Sequence, residues 1–252
     1  MLHFRAFIFY LLFYGWTLVL GLLGLPLLLL PGIWAQHLAR FWLLGGLLLL
    51  RFFCGVTHKV TGREHIPSTP CIFAAKHQSA WETMALFVLL PQASPSPVFV
   101  LKRELLNLPF VGWYMQKAGM IAIDRSAGVA ALKNMMEQAK ARLLEGRSLI
   151  IFPEGTRAAV GAPPSYKPGI AALYKECRVP VVPVALNSGL FWGKNAFAKN
   201  PGTITLAFLP PLSPDLSKPQ VIEALVQTIE PATEALLREA QVSRPSSSRS
   251  TG

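Results

Sequence analysis

Residues 6–30 carry no charged side chain. At about 1.5 Å of rise per residue, a helix over that run exceeds the roughly 30 Å hydrocarbon core of a bilayer. Leu30-Pro31-Gly32 then interrupts the pattern, because proline and glycine break a helix there. A second apolar run, 33–50, follows, with Gln36, His37 and Arg40 in its first half and a cleanly apolar second half over 41–50. Arg5 precedes the first run, and Arg51, His58, Lys59 and Arg63 follow the second. This bias of basic residues puts both ends on the cytoplasmic side and predicts a helical membrane hairpin over 1–53, at the inner membrane if the source is bacterial. Arg40 at the middle of a full crossing would cost about 3 kcal/mol on insertion scales, so a shallow, re-entrant hairpin is favoured over two complete spans. A cleaved signal peptide fits poorly: the run is longer than an h-region and no small-residue cleavage site closes it.

Beyond the hairpin the pattern changes period. Short apolar runs at 56–61, 71–75, 98–101, 120–123, 149–152, 181–185 and 203–209 predict strands. Between them, 81–90, 127–144 and 170–176 predict helices; Leu132, Met135, Met136, Ala139 and Leu143 fall on one face of a 3.6-residue period. Strand-helix alternation implies an α/β fold, a mixed, mostly parallel sheet covered by helices, occupying 54–242 as a single catalytic domain. Pro180 and Pro183 each remove a ladder donor, which predicts an edge or irregular position for the strand at 181–185. A last amphipathic helix is expected over 219–240, with Val221, Ile222, Leu225 and Ile229 aligned before Pro231 interrupts it. Residues 243–252 have too little apolar surface to order and are expected to be a disordered tail.

Composition narrows the partners. The 252 residues include 24 basic and 13 acidic side chains, a formal charge of +11, which favours anionic ligands. An apolar fraction of 52%, concentrated in the first fifty residues, argues for a lipid bilayer and against a nucleic-acid partner. Cys54, Cys71 and Cys177 have no paired short spacing, so neither a disulfide framework nor a metal site is expected.

Two polar clusters interrupt the apolar pattern. In His77-Gln78-Ser79-Ala80-Trp81-Glu82, a histidine and a carboxylate stand five apart at a predicted strand exit. A carboxylate on one ring nitrogen fixes the tautomer and stabilises the imidazolium formed when the other takes a proton, which makes His77 a candidate general base. Ser79 and Glu82 also match a capping box, which needs no catalysis to explain it. No strained Gly-x-Ser-x-Gly turn surrounds Ser79, so it reads as the cap and not as a nucleophile. The second cluster, Phe152-Pro153-Glu154-Gly155-Thr156-Arg157, follows an apolar strand. Gly155 permits close backbone approach, and the planar fork of Arg157 suits phosphate oxygens. Lys102, Arg125 and Lys167 are candidate helpers, and Glu154 is expected to hold Arg157 or a sugar-like hydroxyl.

His77 and Glu82 resemble the His-x4-Asp motif of the glycerolipid acyltransferases, with Glu in place of Asp. The segments that start at Lys102 and at Phe152, and the one from Val179 to Val184, resemble that family's later motifs in the same order. The resemblance implies direct transfer of a fatty acyl group from acyl-coenzyme A or acyl carrier protein to the free hydroxyl of a lysophosphatidate, with no cofactor. His77 is then the base, Glu82 its orienting partner, and Lys102, Arg125, Glu154, Gly155, Thr156, Arg157 and Lys167 the substrate-binding set. Acylation of another lysophospholipid or of glycerol-3-phosphate, a non-catalytic scaffold for acidic lipids, and a hydrolase stay open as alternatives.

Overall fold

The computed structural model describes residues 1–90, 96–124 and 127–242. Arg125 and the tail at 243–252 therefore lie outside the described residues.

Two apolar helices open the chain, α1 (Leu2–Leu23) and α2 (Gly32–Cys54), joined by a 3₁₀ turn over Leu25–Leu29. By length and composition both could cross a membrane. They approach closely because Gly45 and Gly46 of α2 sit against Trp16 and Phe13 of α1; a Cβ at Gly45 would fall 2.5 Å from the Trp16 ring nitrogen. The pair is pinned by Trp16 Nε1 donating to the Trp42 carbonyl (3.1 Å) and Trp42 Nε1 donating to Thr17 Oγ1 (2.8 Å). Leu43, Leu47, Leu50 and Cys54 form a buried stripe on α2 at helical spacing, facing the rest of the protein. Phe7, Leu11, Leu18, Phe41, Leu44 and Leu48 face outward and are exposed.

The sheet contains β1 (Val56–Thr61), β2 (Ile72–Ala75), β3 (Val98–Lys102), β4 (Ile121–Ile123), β5 (Leu149–Ile151), β6 (Val181–Leu186) and β7 (Gly202–Phe208). Their order is β1-β7-β6-β2-β5-β3-β4. Every pairing is parallel except β6 with β7, so the sheet is mixed and mostly parallel, as the strand-helix alternation implies. The connecting helices are α3 (Trp81–Leu89), α4 (Val111–Lys117), α5 (Gly128–Leu144), α6 (Gly169–Cys177) and α7 (Lys218–Val242).

Strand alternation sorts the core into two layers. Phe73, Ile150, Val182 and Val184 face the layer that also holds Leu43, Leu47, Leu50, Trp81 and Phe87, contributed by α2 and α3. Ile72, Ala74, Leu149, Ile151 and Val181 face the opposite layer, built with Met135, Ile170, Leu173 and Leu225 from α5, α6 and α7. The hairpin thus shares a hydrophobic core with the sheet.

Three details differ from the sequence-based expectation. β6 is an interior strand, flanked by β7 and β2 and buried at all six residues. Pro183 is tolerated because its carbonyl, which points to the same side as its nitrogen, accepts from Leu209 N (2.9 Å) just past the end of β7. The missing N–H therefore faces the point where the β7 pairing stops. α7 continues through Pro231 as one helix, because Val221, Leu225 and Ile229 before the proline and Thr233 after it are all buried. α4, unmarked by any apolar period, is the third; it is two turns long and buries only Gly112 and Tyr114.

Arg40, the charge in the middle of the hairpin, faces protein. Its guanidinium donates to the carbonyls of Phe87 (3.1 Å) and Val88 (2.7 Å), the last turn of α3, where the helix dipole favours a cation. Replacing Arg40 by Met keeps the apolar stem and removes both charged hydrogen bonds, so a loss of about 2 kcal/mol is expected. For a chain of this size that lowers the melting temperature in detergent micelles by about 4–8 °C. An unchanged midpoint would reject the capping role.

Candidate active site

β2 ends in a residue pair whose side chains leave on opposite faces of the sheet. Lys76 continues the alternation of Ile72 and Ala74 toward the α6 and α7 layer, and His77 leaves toward α3. Lys76 N donates to the Val184 carbonyl (2.9 Å), extending the pairing with β6 by one step before the chain turns into α3.

Glu82, in the first turn of α3, is fully buried at 0% exposure. Its Oε1 accepts from His77 Nδ1 (2.9 Å) and from the backbone N–H groups of Gln78 (2.6 Å) and Ser79 (2.5 Å). Its Oε2 accepts from Ser188 Oγ (2.8 Å), which arrives from the turn after β6. The capping and pairing roles that compete for Glu82 in the sequence are filled together by one oxygen. Ser79 Oγ in turn accepts from Trp81 N (3.1 Å), a tighter version of the expected cap.

An ionised carboxylate can only accept, so His77 Nδ1 carries the proton in this bond, and in the neutral tautomer the lone pair is on Nε2. The imidazole is 13% exposed and lines a large cavity. Phe152 stacks on it at 4.0 Å between centroids and 15° between planes, which holds the ring plane.

Phe152 begins the second polar cluster, at the exit of β5. Gly155 adopts a left-handed conformation (φ 69°) with its N–H donating to the Phe152 carbonyl (2.9 Å), which turns the loop back on itself. Ala158 N donates to the His77 carbonyl (2.8 Å), so the two clusters are tied through the backbone. Gly155, Thr156, half-buried Arg157 and exposed Lys102 and Lys167 line the same cavity as His77.

Glu154 departs from expectation. It does not reach Arg157; its Oε1 pairs with Lys76 Nζ (2.8 Å) and its Oε2 accepts from His77 N (3.0 Å). At 4% exposure it points away from the cavity, because the buried ammonium of Lys76 is the nearer cation. Arg125 lies outside the described residues.

The cavity has a volume of about 1190 Å³ and runs from His77 and the cationic rim to the hairpin. Tyr10, Phe13, Tyr14 and Thr17 of α1 and Ala39 and Trp42 of α2 form one wall, and Leu101, Phe110, Tyr114 and Met120 another. Exposed cations on part of the lining and apolar groups over most of the rest suit an amphipathic ligand with an anionic head and a long hydrocarbon chain. Among the described residues no group of three or more His, Cys, Asp or Glu is placed to hold a metal ion.

Several groups at the site carry no sequence signal of their own. Ser188 sits in an unremarked Asn-Ser-Gly turn, and Tyr10, Tyr14 and Trp42 read only as hairpin aromatics. Lys199 is 1% exposed, donating to the Tyr10 hydroxyl and to the carbonyls of Ala196 (3.3 Å) and Phe197 (2.6 Å). It lies 4.0 Å and 4.5 Å from the ring centroids of Tyr10 and Trp192, fastening the loop after β6 to α1.

Burial pulls the Lys199 ammonium down to about 8 from its ordinary 10.5. Between those values the unfolded chain binds the extra proton, so the Lys199 contribution to stability rises with pH from about 8 to 10.5 and is at its least favourable below 8. The stability of the unaltered protein relative to Lys199→Met is therefore expected to grow over that window in denaturant titrations. A difference that stays flat with pH would reject the assignment.

Comparison with known proteins places these features in context. Residues 57–187 match the sequence model of the acyltransferase family. The chain is 37% identical over 228 residues to the 1-acyl-sn-glycerol-3-phosphate acyltransferase of Pseudomonas aeruginosa, covering 90% of this chain and 87% of that protein. It is 30% identical over 228 residues to the alpha form of 1-acyl-sn-glycerol-3-phosphate acyltransferase from Mus musculus, covering 89% and 78%. The crystal structure of the 1-acyl-sn-glycerophosphate (LPA) acyltransferase PlsC from Thermotoga maritima superposes with a TM-score of 0.69 over 97% of this chain and 99% of that one. At 23% identity that likeness establishes the fold.

Proposed function

The chain belongs to the acyltransferase family, and from that premise we propose that it moves a fatty acyl group from a thioester to the free hydroxyl of 1-acyl-sn-glycerol-3-phosphate, giving phosphatidic acid for phospholipid biosynthesis. The observation that carries the reading is the pairing of His77 Nδ1 with buried Glu82, on the wall of a cavity whose mouth holds Lys102, Arg157 and Lys167. The acceptor phosphate binds at those cations, with Arg157 as the planar fork, while Gly155 and Thr156 shape the loop around it. Apolar walls contributed by β3, α4 and the hairpin take acyl chain. Glu154 serves this rim indirectly, by fixing the backbone of His77.

The chemistry follows from the protonation pattern. His77 Nε2 removes the proton of the acceptor hydroxyl, and Glu82 stabilises the imidazolium that results. The hydroxyl oxygen attacks the thioester carbonyl and forms the new ester bond as the carbon–sulfur bond breaks. The departing thiolate takes the proton back from His77, so the side chain is regenerated within one turnover and no acyl-enzyme forms. The two substrates supply every atom, with acyl-coenzyme A or acyl carrier protein as the donor.

The hairpin sets the depth of this reaction. Its outward apolar residues enter the bilayer while Arg40 stays against α3, which favours a shallow hairpin on the cytoplasmic face over two complete crossings. The cavity then opens where the headgroup of a lysophospholipid lies. In this reading residues 1–53 anchor and line the site, and 54–242 carry the chemistry.

Purified protein with His77→Ala is expected to lose about 10²- to 10⁴-fold in acyl transfer, the usual contribution of a general base. Glu82→Asp is expected to lose at least about tenfold, because a side chain one methylene shorter cannot keep both His77 Nδ1 and Ser188 Oγ. A radiolabelled thioester assay over several acceptors measures both. Equal rates for His77→Ala and the unaltered enzyme, or transfer to every acceptor but lysophosphatidate, would sink the reading.

A further inference from the structure

α7 contributes no residue to the cavity, yet it reaches the base. Glu230, one residue before Pro231, places both carboxylate oxygens on Lys76 Nζ, at 2.8 Å and 2.9 Å. The third donor of the same ammonium goes to Glu154 Oε1 (2.8 Å), and Glu154 Oε2 accepts from His77 N (3.0 Å). The Tyr166 hydroxyl donates to Glu230 Oε1 (2.8 Å) from the segment that leads to Lys167. A chain of hydrogen bonds therefore runs from the C-terminal helix, through the sheet, to the backbone of the base.

We infer that Glu230 is a positioning residue for acyl transfer, acting on His77 through Lys76 and Glu154; the inference rests on His77 being the base. Lys76 is 3% exposed, so its three donors rest on the two carboxylates. With Glu230 removed, two of them lose their acceptor, and the ammonium must move to recover a partner. Glu154 moves with it, because their contact is as buried on one side as on the other. Two features of the base depend on where Glu154 sits. The His77 N–H is bonded to it directly, and Phe152, stacked on the imidazole, is two residues before it in the same turn. Displacing a base by about 1 Å is enough to cost a hundredfold in rate.

The charges agree with this assignment. Lys76 is shared by the carboxylates of Glu154 and Glu230. Tyr166 remains a neutral donor: burial and the bond to Glu230 push its hydroxyl above the ordinary range for tyrosine. Its hydrogen bond satisfies the carboxylate oxygen that Lys76 shares, and it joins the loop before α6 to the same point.

The test uses the full chain in mixed micelles with acyl-coenzyme A and lysophosphatidate, comparing Glu230→Ala, Glu230→Gln, Lys76→Met and the double variant Lys76→Met/Glu230→Ala. Glu230→Ala is expected to lower kcat about tenfold or more, with KM for donor and acceptor changed less than about twofold. Lys76→Met should lower kcat similarly, and the double variant should be no slower than Lys76→Met alone, because both changes break one chain of contacts. Glu230→Gln, which keeps the shape of the side chain, covers the case in which Glu230→Ala does not fold, and should still lose about threefold or more in kcat. An unchanged kcat in the Gln variant, an effect confined to KM, or a double variant slowed by the product of the single losses would each overturn the inference. Rates are referred to the unaltered enzyme on its best acceptor. Preference for another acceptor would correct the substrate proposed above and leave the Glu230 comparison standing.

Discussion

A single buried carboxylate organises this site. Taking Glu82 out of water costs several kcal/mol, and the cost is offset only if its oxygens find donors. Four are present: the imidazole Nδ1, two backbone N–H groups and the Ser188 hydroxyl. The position in the first turn of α3 adds the favourable end of a helix dipole. Because every donor must be in place at once, the turn from His77 to Trp81 has one conformation, and the tautomer of His77 follows from it. The orientation of His77 and the fold thus draw on the same bonds, and Glu82 holds them with a side chain that must span from β2 to the turn after β6.

Around that carboxylate, strand alternation separates two kinds of charge. On the face toward α3 and the hairpin stand His77 and the open cationic rim, where an anionic ligand can bind. On the face toward α6 and α7 lies Lys76, compensated inside the protein by Glu154 and Glu230. Consecutive residues therefore have opposite environments, one facing the cavity and one buried away from it. A sheet that ends in such a pair can join its two helical layers beside the cavity.

The hairpin belongs to this arrangement. Its inner stripe completes the core on one face of the sheet, its aromatic residues form a wall of the cavity, and Arg40 closes the end of α3. Lys199 fastens the loop after β6 to α1 from the other side. The outward apolar surface and one wall of the cavity are consequently properties of the same two helices. The position of the cavity wall is coupled to that of the two helices, since neither can shift without breaking the shared core.

Local pattern determined much of this protein. The long apolar runs, the strand-helix alternation and the two polar clusters at strand exits are read from periods of 3.6 and 2 and from turn chemistry, which depend only on neighbours in the chain. The two apolar helices and the meeting of His77 with Glu82 were legible for that reason. What tertiary structure decided is who meets whom across the sheet. The partner of Glu154 is Lys76 and not Arg157, the strand with two prolines lies in the interior, and Ser188, Tyr166, Glu230 and Lys199 join the site from segments far away in sequence. Such pairings carry no periodic signal, because they are set by strand order and by the need of buried polar groups for partners, and both exist only once the chain has folded.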